Sequence, residues 1–283
     1  MSRLRDKMSA DLKLAGRSES TRTHYIRCAV LFVKFHRRPP EDMGEPEVRK
    51  FLLFLAEERK VSVGRYLQYL GALKFLYGVT LGRPEVTAGI PWPRVGRAGL
   101  DVMTRREVAR VLDHAPSPYW QAFFTTAYAA GLRRMEVATL CADDIDAASG
   151  ILRVASGKGN KSRVVMLDPA LLVTLRQHWR HHRLPGPWLF PGRASWGWSR
   201  LPVHLGQASA AFQQAVVAAR IPRRTTLHGL RHAFATHLLE DGVDLVTIQQ
   251  LLGHDRIETT TRYTQVRTDR IRATPSQLAK LRS

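Results

Sequence analysis

Apolar residues in the first 87 positions recur with the 3.6-residue period of amphipathic helices. Ser20-Thr21-Arg22-Thr23 opens a segment in which Ile26, Val30, Phe32, Val33 and Phe35 return at helical spacing. Pro46 stands where a first-turn proline is tolerated, and Val48, Phe51, Leu52 and Leu55 follow it on one stripe. A further stripe takes Tyr66, Leu67, Leu70, Leu73, Leu76 and Tyr77, before Gly78 and Gly82. Residues 1–87 are therefore expected to form a helical bundle. Residues 88–100 (AGIPWPRVGRAGL) hold two prolines and three glycines without a sustained period, and read as a linker.

The second domain is expected over 101–283, opening on the capping box Thr104-Arg105-Arg106-Glu107. After Asp143-Asp144-Ile145-Asp146 the pattern shortens. Residues 151–154 and 163–167 are brief and β-rich, and Ser156-Gly157-Lys158-Gly159-Asn160-Lys161 lies between them, which predicts a β-hairpin. Helical spacing resumes over 169–182, 203–220, 226–241 and 244–252. Residues 183–202, with their Pro, Gly and Trp, read as an irregular surface connection. The fold class is mainly α with a small β-hairpin or sheet in the second of two domains.

Composition narrows the partner. The chain has 283 residues, beyond the size at which one core usually stops growing. Its 44 Lys and Arg exceed its 24 Asp and Glu, a net charge of +20 that divides as +9 up to residue 100 and +11 after it. A positive field over both halves favours a polyanion, although a merely solvated cationic surface has the same composition. No apolar run approaches the ~20 residues of a spanning helix, and the amino terminus lacks a signal-peptide pattern. That leaves nucleic acid ahead of membrane, and the cytoplasm as the expected compartment. Only Cys28 and Cys141 are present, read as buried small apolar residues in a reducing compartment.

The chemistry sits in the second domain. His228 and Arg231 are three apart near a helix start, so they point within ~60° of each other and can meet one phosphate oxygen. A helix-capping histidine and an arginine paired with a surface acid fit the same spacing. Arg133 follows Gly131-Leu132 and has Glu136 one turn on, equally consistent with phosphate recognition or an i,i+3 ion pair. Lys158, between two glycines at the hairpin tip, can reach into a groove as a proton donor or stay solvated. Lys161 and Arg163 are expected on backbone phosphates. Leu252-Gly253-His254 closes a helix with a glycine turn that can present an imidazole. Tyr263 lies in polar TTTRYT, whereas Tyr25, Tyr66, Tyr69, Tyr77, Tyr119 and Tyr128 read as packing residues. A phenol is only about 0.1% ionised at pH 7, so a nucleophilic Tyr263 needs a base or strong positive surroundings. His178 and His182 are an i,i+4 pair without a Cys or acid at ligand spacing, so no metal site is expected, and no glycine-rich nucleotide motif appears.

In order, GLRRME, GKGNKSR, LHGLRHAFATHLL, LLGH and TTTRYT resemble the tyrosine recombinases, the phage-integrase family that includes the Xer recombinases. The resemblance covers about residues 104–266 and, more weakly, 18–83, which are similar to that family's helical core-binding domain. It implies that Arg133 and Arg231 clamp the scissile phosphate and that Lys158 protonates the leaving 5′ oxygen. His228 would be a general acid/base, His254 would bond the phosphate and Tyr263 would be the nucleophile. It further implies a two-domain clamp on double-stranded DNA and four protomers exchanging strands, as a homotetramer or with a related recombinase and accessory proteins. No cofactor or metal is implied. The segment after Tyr263 is expected to dock on a neighbouring subunit. Two rivals remain: a type IB topoisomerase, which reseals its original strand, and a non-catalytic DNA-binding module.

Overall fold

The computed structural model describes residues 2–93, 101–154, 162–182, 184, 186–195 and 197–253. The chain forms two compact units, residues 1–97 and 98–283.

The first unit is helical. Helix α1 spans Ser2–Leu14, α2 Glu19–His36, α3 Glu45–Leu53, α4 Val63–Phe75 and α5 Glu85–Ala88. The sequence explains their ends. Ser18, two residues before the cluster expected to start α2, accepts from the Thr21 amide, and α2 stops at Arg37 in the left-handed region. Pro46 lies in the first turn of α3, where the Glu47 carboxylate accepts from the Gly44 amide at 2.8 Å. Both α3 and α4 run on into single π-helical turns, Phe54–Glu58 and Leu76–Thr80. The predicted stripes become the core: Phe32, Phe51, Leu70, Leu73 and Tyr77 are almost wholly buried. Phe32 meets Phe51 edge-on at 5.4 Å, a preferred geometry for facing ring quadrupoles. The Tyr77 hydroxyl donates to the Pro40 carbonyl. Ile90, read from sequence as linker, belongs to this core at 5% exposure.

The second unit starts with α6, Arg105–Asp113, where Thr104 and Glu107 exchange the predicted capping-box bonds. Helix α7, Pro118–Ala129, runs through its core. Phe123 and Phe124 have no exposed surface and reach Phe190 and Phe212 at 5.1 and 5.3 Å. Short α8, Arg134–Ala138, leads to an antiparallel sheet of β1 (Ile145–Asp146), β2 (Ile151–Val154) and β3 (Arg163–Met166). Leu152 pairs with Val165, both buried, so the register follows from putting the apolar face inward. Helices α9 (Pro169–His182), α10 (Leu205–Ala218), α11 (Leu227–Glu240) and α12 (Leu245–Leu252) complete the unit.

The connection over 183–202 is not irregular. Strands β4 (Pro191–Ala194) and β5 (Gly197–Pro202) form a two-stranded ribbon. Leu189 and Phe190 ahead of it are buried, and the Arg193 guanidinium lies over the Trp198 ring. Its proline, glycine and tryptophan break the two-residue alternation, which hid the strands. Cys28 is buried as expected, its thiol pushed up to about 11 by burial, whereas Cys141 is only half-buried. Among the described residues no helix is long and apolar enough to cross a membrane.

Candidate active site

Gly131 carries the chain from α7 towards α8 at φ +60°. A Cβ there would come within 2.5 Å of the Phe234 ring of α11, so backbone and packing both demand glycine. Gly131→Ala is expected to cost roughly 1–2 kcal/mol for the left-handed backbone and about 1–3 kcal/mol for overpacking. Thermal unfolding reads the loss, and an unchanged midpoint would show that the turn is not tightly constrained.

That turn delivers Arg133 as the N-cap of α8. Its amide and its Nη1 donate to the two carboxylate oxygens of Glu136, at 2.8 and 2.7 Å. The ion pair foreseen from spacing is therefore real, but it belongs to something larger. Arg163 of β3 grips the same carboxylate from Nη1 and Nη2, both at 2.8 Å. Arg231 of α11 stands 3.8 Å from it. Burial raises the Glu136 pKa, but the hydrogen bonds from Arg163 and Arg133 outweigh that and hold it at about 2.

The same guanidinium groups meet the end of α12. Arg163 Nε donates to the Leu251 carbonyl, Arg231 Nη2 to that of Leu252 and Arg133 Nη2 to that of Gly253. The last carbonyls of a helix have no intrahelical partner and carry its negative dipole end, so three cations there satisfy both demands. Gly253 ends α12 in the left-handed conformation. Arg231, 1% exposed, also donates to the Gly131 carbonyl at 2.8 Å, which ties the turn before Arg133 to the turn before His254.

His228 occupies the first turn of α11, one turn before Arg231. The N-cap is Thr226, so His228 does not cap the helix. Part of its ring is exposed beside a cleft of about 400 Å³ lined by Arg134, Ser209, Gln213 and the start of α11. Desolvation first, then the positive field of His232, Arg231, Arg133 and Arg134, lowers its pKa to about 4. At neutral pH the imidazole is uncharged and able to take a proton. A phosphate bound beside it adds negative charge, so DNA is expected to raise this pKa from about 4 towards neutrality. Imidazole proton shifts of the free and DNA-bound protein, assigned with His228→Gln, check the sign. No upward movement would separate His228 from the phosphate.

Arg133, His228 and Arg231 are thus gathered within one unit. Lys158, His254 and Tyr263 lie outside the described residues, as does Lys161. Arg163 corrects an expectation: it turns inward to Glu136 with its side chain 11% exposed, instead of lying on a phosphate-facing surface. His178 packs inside the core with its ring on the Leu189 carbonyl, and burial lowers its pKa to about 4. Among the described residues no group of three or more His, Cys, Asp or Glu is arranged to hold a metal ion.

The profile described as "Phage integrase family" matches residues 101–270, and that of the phage integrase N-terminal SAM-like domain matches residues 4–85. The chain belongs to the phage integrase family. This integrase-family chain is 39% identical to the integrase/recombinase y4qK of Sinorhizobium fredii, over 98% of this chain and 88% of that protein. It is 30% identical to the tyrosine recombinase XerD of Rhizobium meliloti, over 93% and 89% of the two chains. Its fold is that of the lambda integrase seen as a tetramer bound to a Holliday junction, with a TM-score of 0.72 at 20% identity, over 93% of this chain and 76% of that one.

Two residues of the site, Glu136 and Arg163, stand out only in the folded chain. The Arg-x-x-Glu spacing hinted at the first, as a partner for Arg133 alone. Nothing in the pattern signalled the second, because its partners come from α8 and α12.

Proposed function

We propose that this chain is a site-specific DNA recombinase in which Tyr263 attacks a phosphate served by Arg133, Lys158, His228, Arg231 and His254. The Tyr263 oxygen bonds to phosphorus while the bond to the 5′ oxygen breaks. The phenol gives its proton to neutral His228, and Lys158 protonates the departing 5′ oxygen. Arg133, Arg231 and His254 stabilise charge on the non-bridging oxygens. The 5′ hydroxyl of a partner strand then attacks the 3′-phosphotyrosyl link and frees the tyrosine. One phosphodiester replaces another, so bond energy is conserved and no nucleotide is consumed.

The observation that carries the site assignment is the shared Glu136 and α12 terminus, which bring Arg133 and Arg231, distant in sequence, to the turn leading into His254. Two of the six other tyrosines are disfavoured as nucleophiles. Burial pushes the Tyr77 and Tyr119 phenols up, and each hydroxyl is spent on a buried carbonyl. Residues 1–87 are assigned to core-site DNA binding and 101–283 to catalysis, with basic charge on both. The lambda integrase tetramer on a Holliday junction supports four protomers on two duplexes, built from this chain or with a related recombinase, and open to accessory proteins. The names integrase/recombinase and tyrosine recombinase favour strand exchange over relaxation. The enzyme would act on DNA in the cytoplasm, at the nucleoid.

Covalent capture tests this. Sequencing DNA trapped on the protein in its host supplies the target, and a nicked duplex of that sequence should accumulate a protein–DNA adduct. Two such sites should then recombine. Relaxation of a plasmid carrying them without exchange would favour the topoisomerase reading, and no adduct would leave a binding module.

A further inference from the structure

Glu136 is a filled acceptor. A carboxylate offers about four lone-pair positions. Arg163 supplies two donors, Nη1 to Oε1 and Nη2 to Oε2, each at 2.8 Å. Arg133 supplies the other two, its side chain to Oε1 and its amide to Oε2. Arg231 makes a looser ion pair with the carboxylate at 3.8 Å, without a hydrogen bond's short distance. Arg163 also holds the end of α12 through the Leu251 carbonyl at 2.8 Å. Its aliphatic stem lies flat against Gly253, where a Cβ would come within 2.9 Å of Arg163 Cδ. Arg163 opens β3, the strand that follows the segment carrying Lys158.

We propose that Arg163 is a positioning residue for strand cleavage: by occupying both oxygens of Glu136 it keeps that carboxylate from closing on Arg231, and it holds β3 and the α12 terminus in register with the arginine pair. The reasoning is electrostatic and geometric. A buried carboxylate deprived of two charged donors takes the nearest replacement, and that is Arg231 at 3.8 Å. The ion pair already present at 3.8 Å would then tighten, leaving less of the Arg231 charge for a phosphate. The fork of a guanidinium is required, since a lysine ammonium cannot span two carboxylate oxygens and a carbonyl from one point.

This rests on the recombinase reading, and the test separates the two. Full-length wild type, Arg163→Lys and the double variant Arg163→Gln/Glu136→Gln are compared on the nicked target duplex. The scissile position is either a phosphodiester or an uncharged methylphosphonate. Single-turnover adduct formation, DNA affinity and thermal midpoint are measured for each protein. Arg163→Lys is expected to slow phosphodiester cleavage by about 100-fold, with affinity within about threefold of wild type. On the methylphosphonate, which carries no charge for Arg231 to stabilise, the deficit should shrink to a few-fold. The double variant, lacking the carboxylate that would capture Arg231, should cleave faster than Arg163→Lys. Should Arg163→Lys fail to fold, the single variant Arg163→Gln, which keeps Glu136, carries the comparison with wild type on the two substrates. Equal losses on both substrates, or wild-type rates for Arg163→Lys, overturn the role of Arg163. Absence of any wild-type adduct instead overturns the recombinase reading.

Discussion

Tyr263→Phe is expected to abolish the covalent protein–DNA adduct while leaving DNA binding near the wild-type level. The substitution removes one oxygen and leaves the net charge unchanged. On the proposed assignment, no bond to phosphorus can form without that oxygen. The loss should be on the order of 10⁶-fold, the scale seen when a nucleophile is deleted from an enzyme whose binding groups remain. Trapping on the nicked duplex measures it, with affinity as the control. An adduct retained at wild-type yield would place the nucleophile on another tyrosine. Tyr119 is a poor substitute, because its hydroxyl is committed to the Pro191 carbonyl in the core. Tyr128, hydrogen-bonded to His237 at 2.8 Å, is scarcely better.

Arg231→Lys is expected to slow cleavage by about 10² to 10³-fold, the usual cost of losing a preorganised donor to a developing oxyanion. The charge survives but the geometry does not. Arg231 reaches the Gly131 carbonyl with Nη1 and the Leu252 carbonyl with Nη2, a planar fork that a lysine ammonium, a single point charge, does not reproduce. One of the two carbonyls then loses its charged donor, and stability should fall by about 1–3 kcal/mol. The turn before Arg133 and the turn before His254 also lose their shared tie. Rate, affinity and thermal midpoint distinguish these effects: the rate should fall by far more than the affinity. A lysine variant that cleaves at the wild-type rate would remove Arg231 from the chemistry.

Much of the fold was legible before any coordinates. Helices α2, α3, α4, α9 and α11 follow their apolar stripes, and the Thr104–Glu107 box starts α6 where local hydrogen bonding requires it. The pairing of β2 with β3 follows from two short β-rich runs with a glycine-bracketed segment between them. The β4–β5 ribbon did not announce itself. Its residues are held by Trp198 under Arg193 and by the buried Phe190 ahead of it, contacts that no two-residue period encodes. At the site, spacing left Arg133, His228 and Arg231 open between phosphate recognition and ordinary capping or ion pairing, and only the resemblance to the tyrosine recombinases singled them out. The inward turn of Arg163 was not legible, since an arginine in an exposed-looking strand carries no mark of where its guanidinium goes.

The order of residues alone determined the helices and the capping box that starts α6. These follow from sterics, helix capping and one-sided burial, which act over a few residues. Tertiary structure alone decided that Glu136 serves several arginines, and that Leu251, Leu252 and Gly253 each accept from a different one. A buried carboxylate and the bare carbonyls of a helix end must be satisfied by whatever cations the fold brings near. Which cations those are depends on how α8, β3, α11 and α12 pack, and so on contacts between residues far apart in the chain.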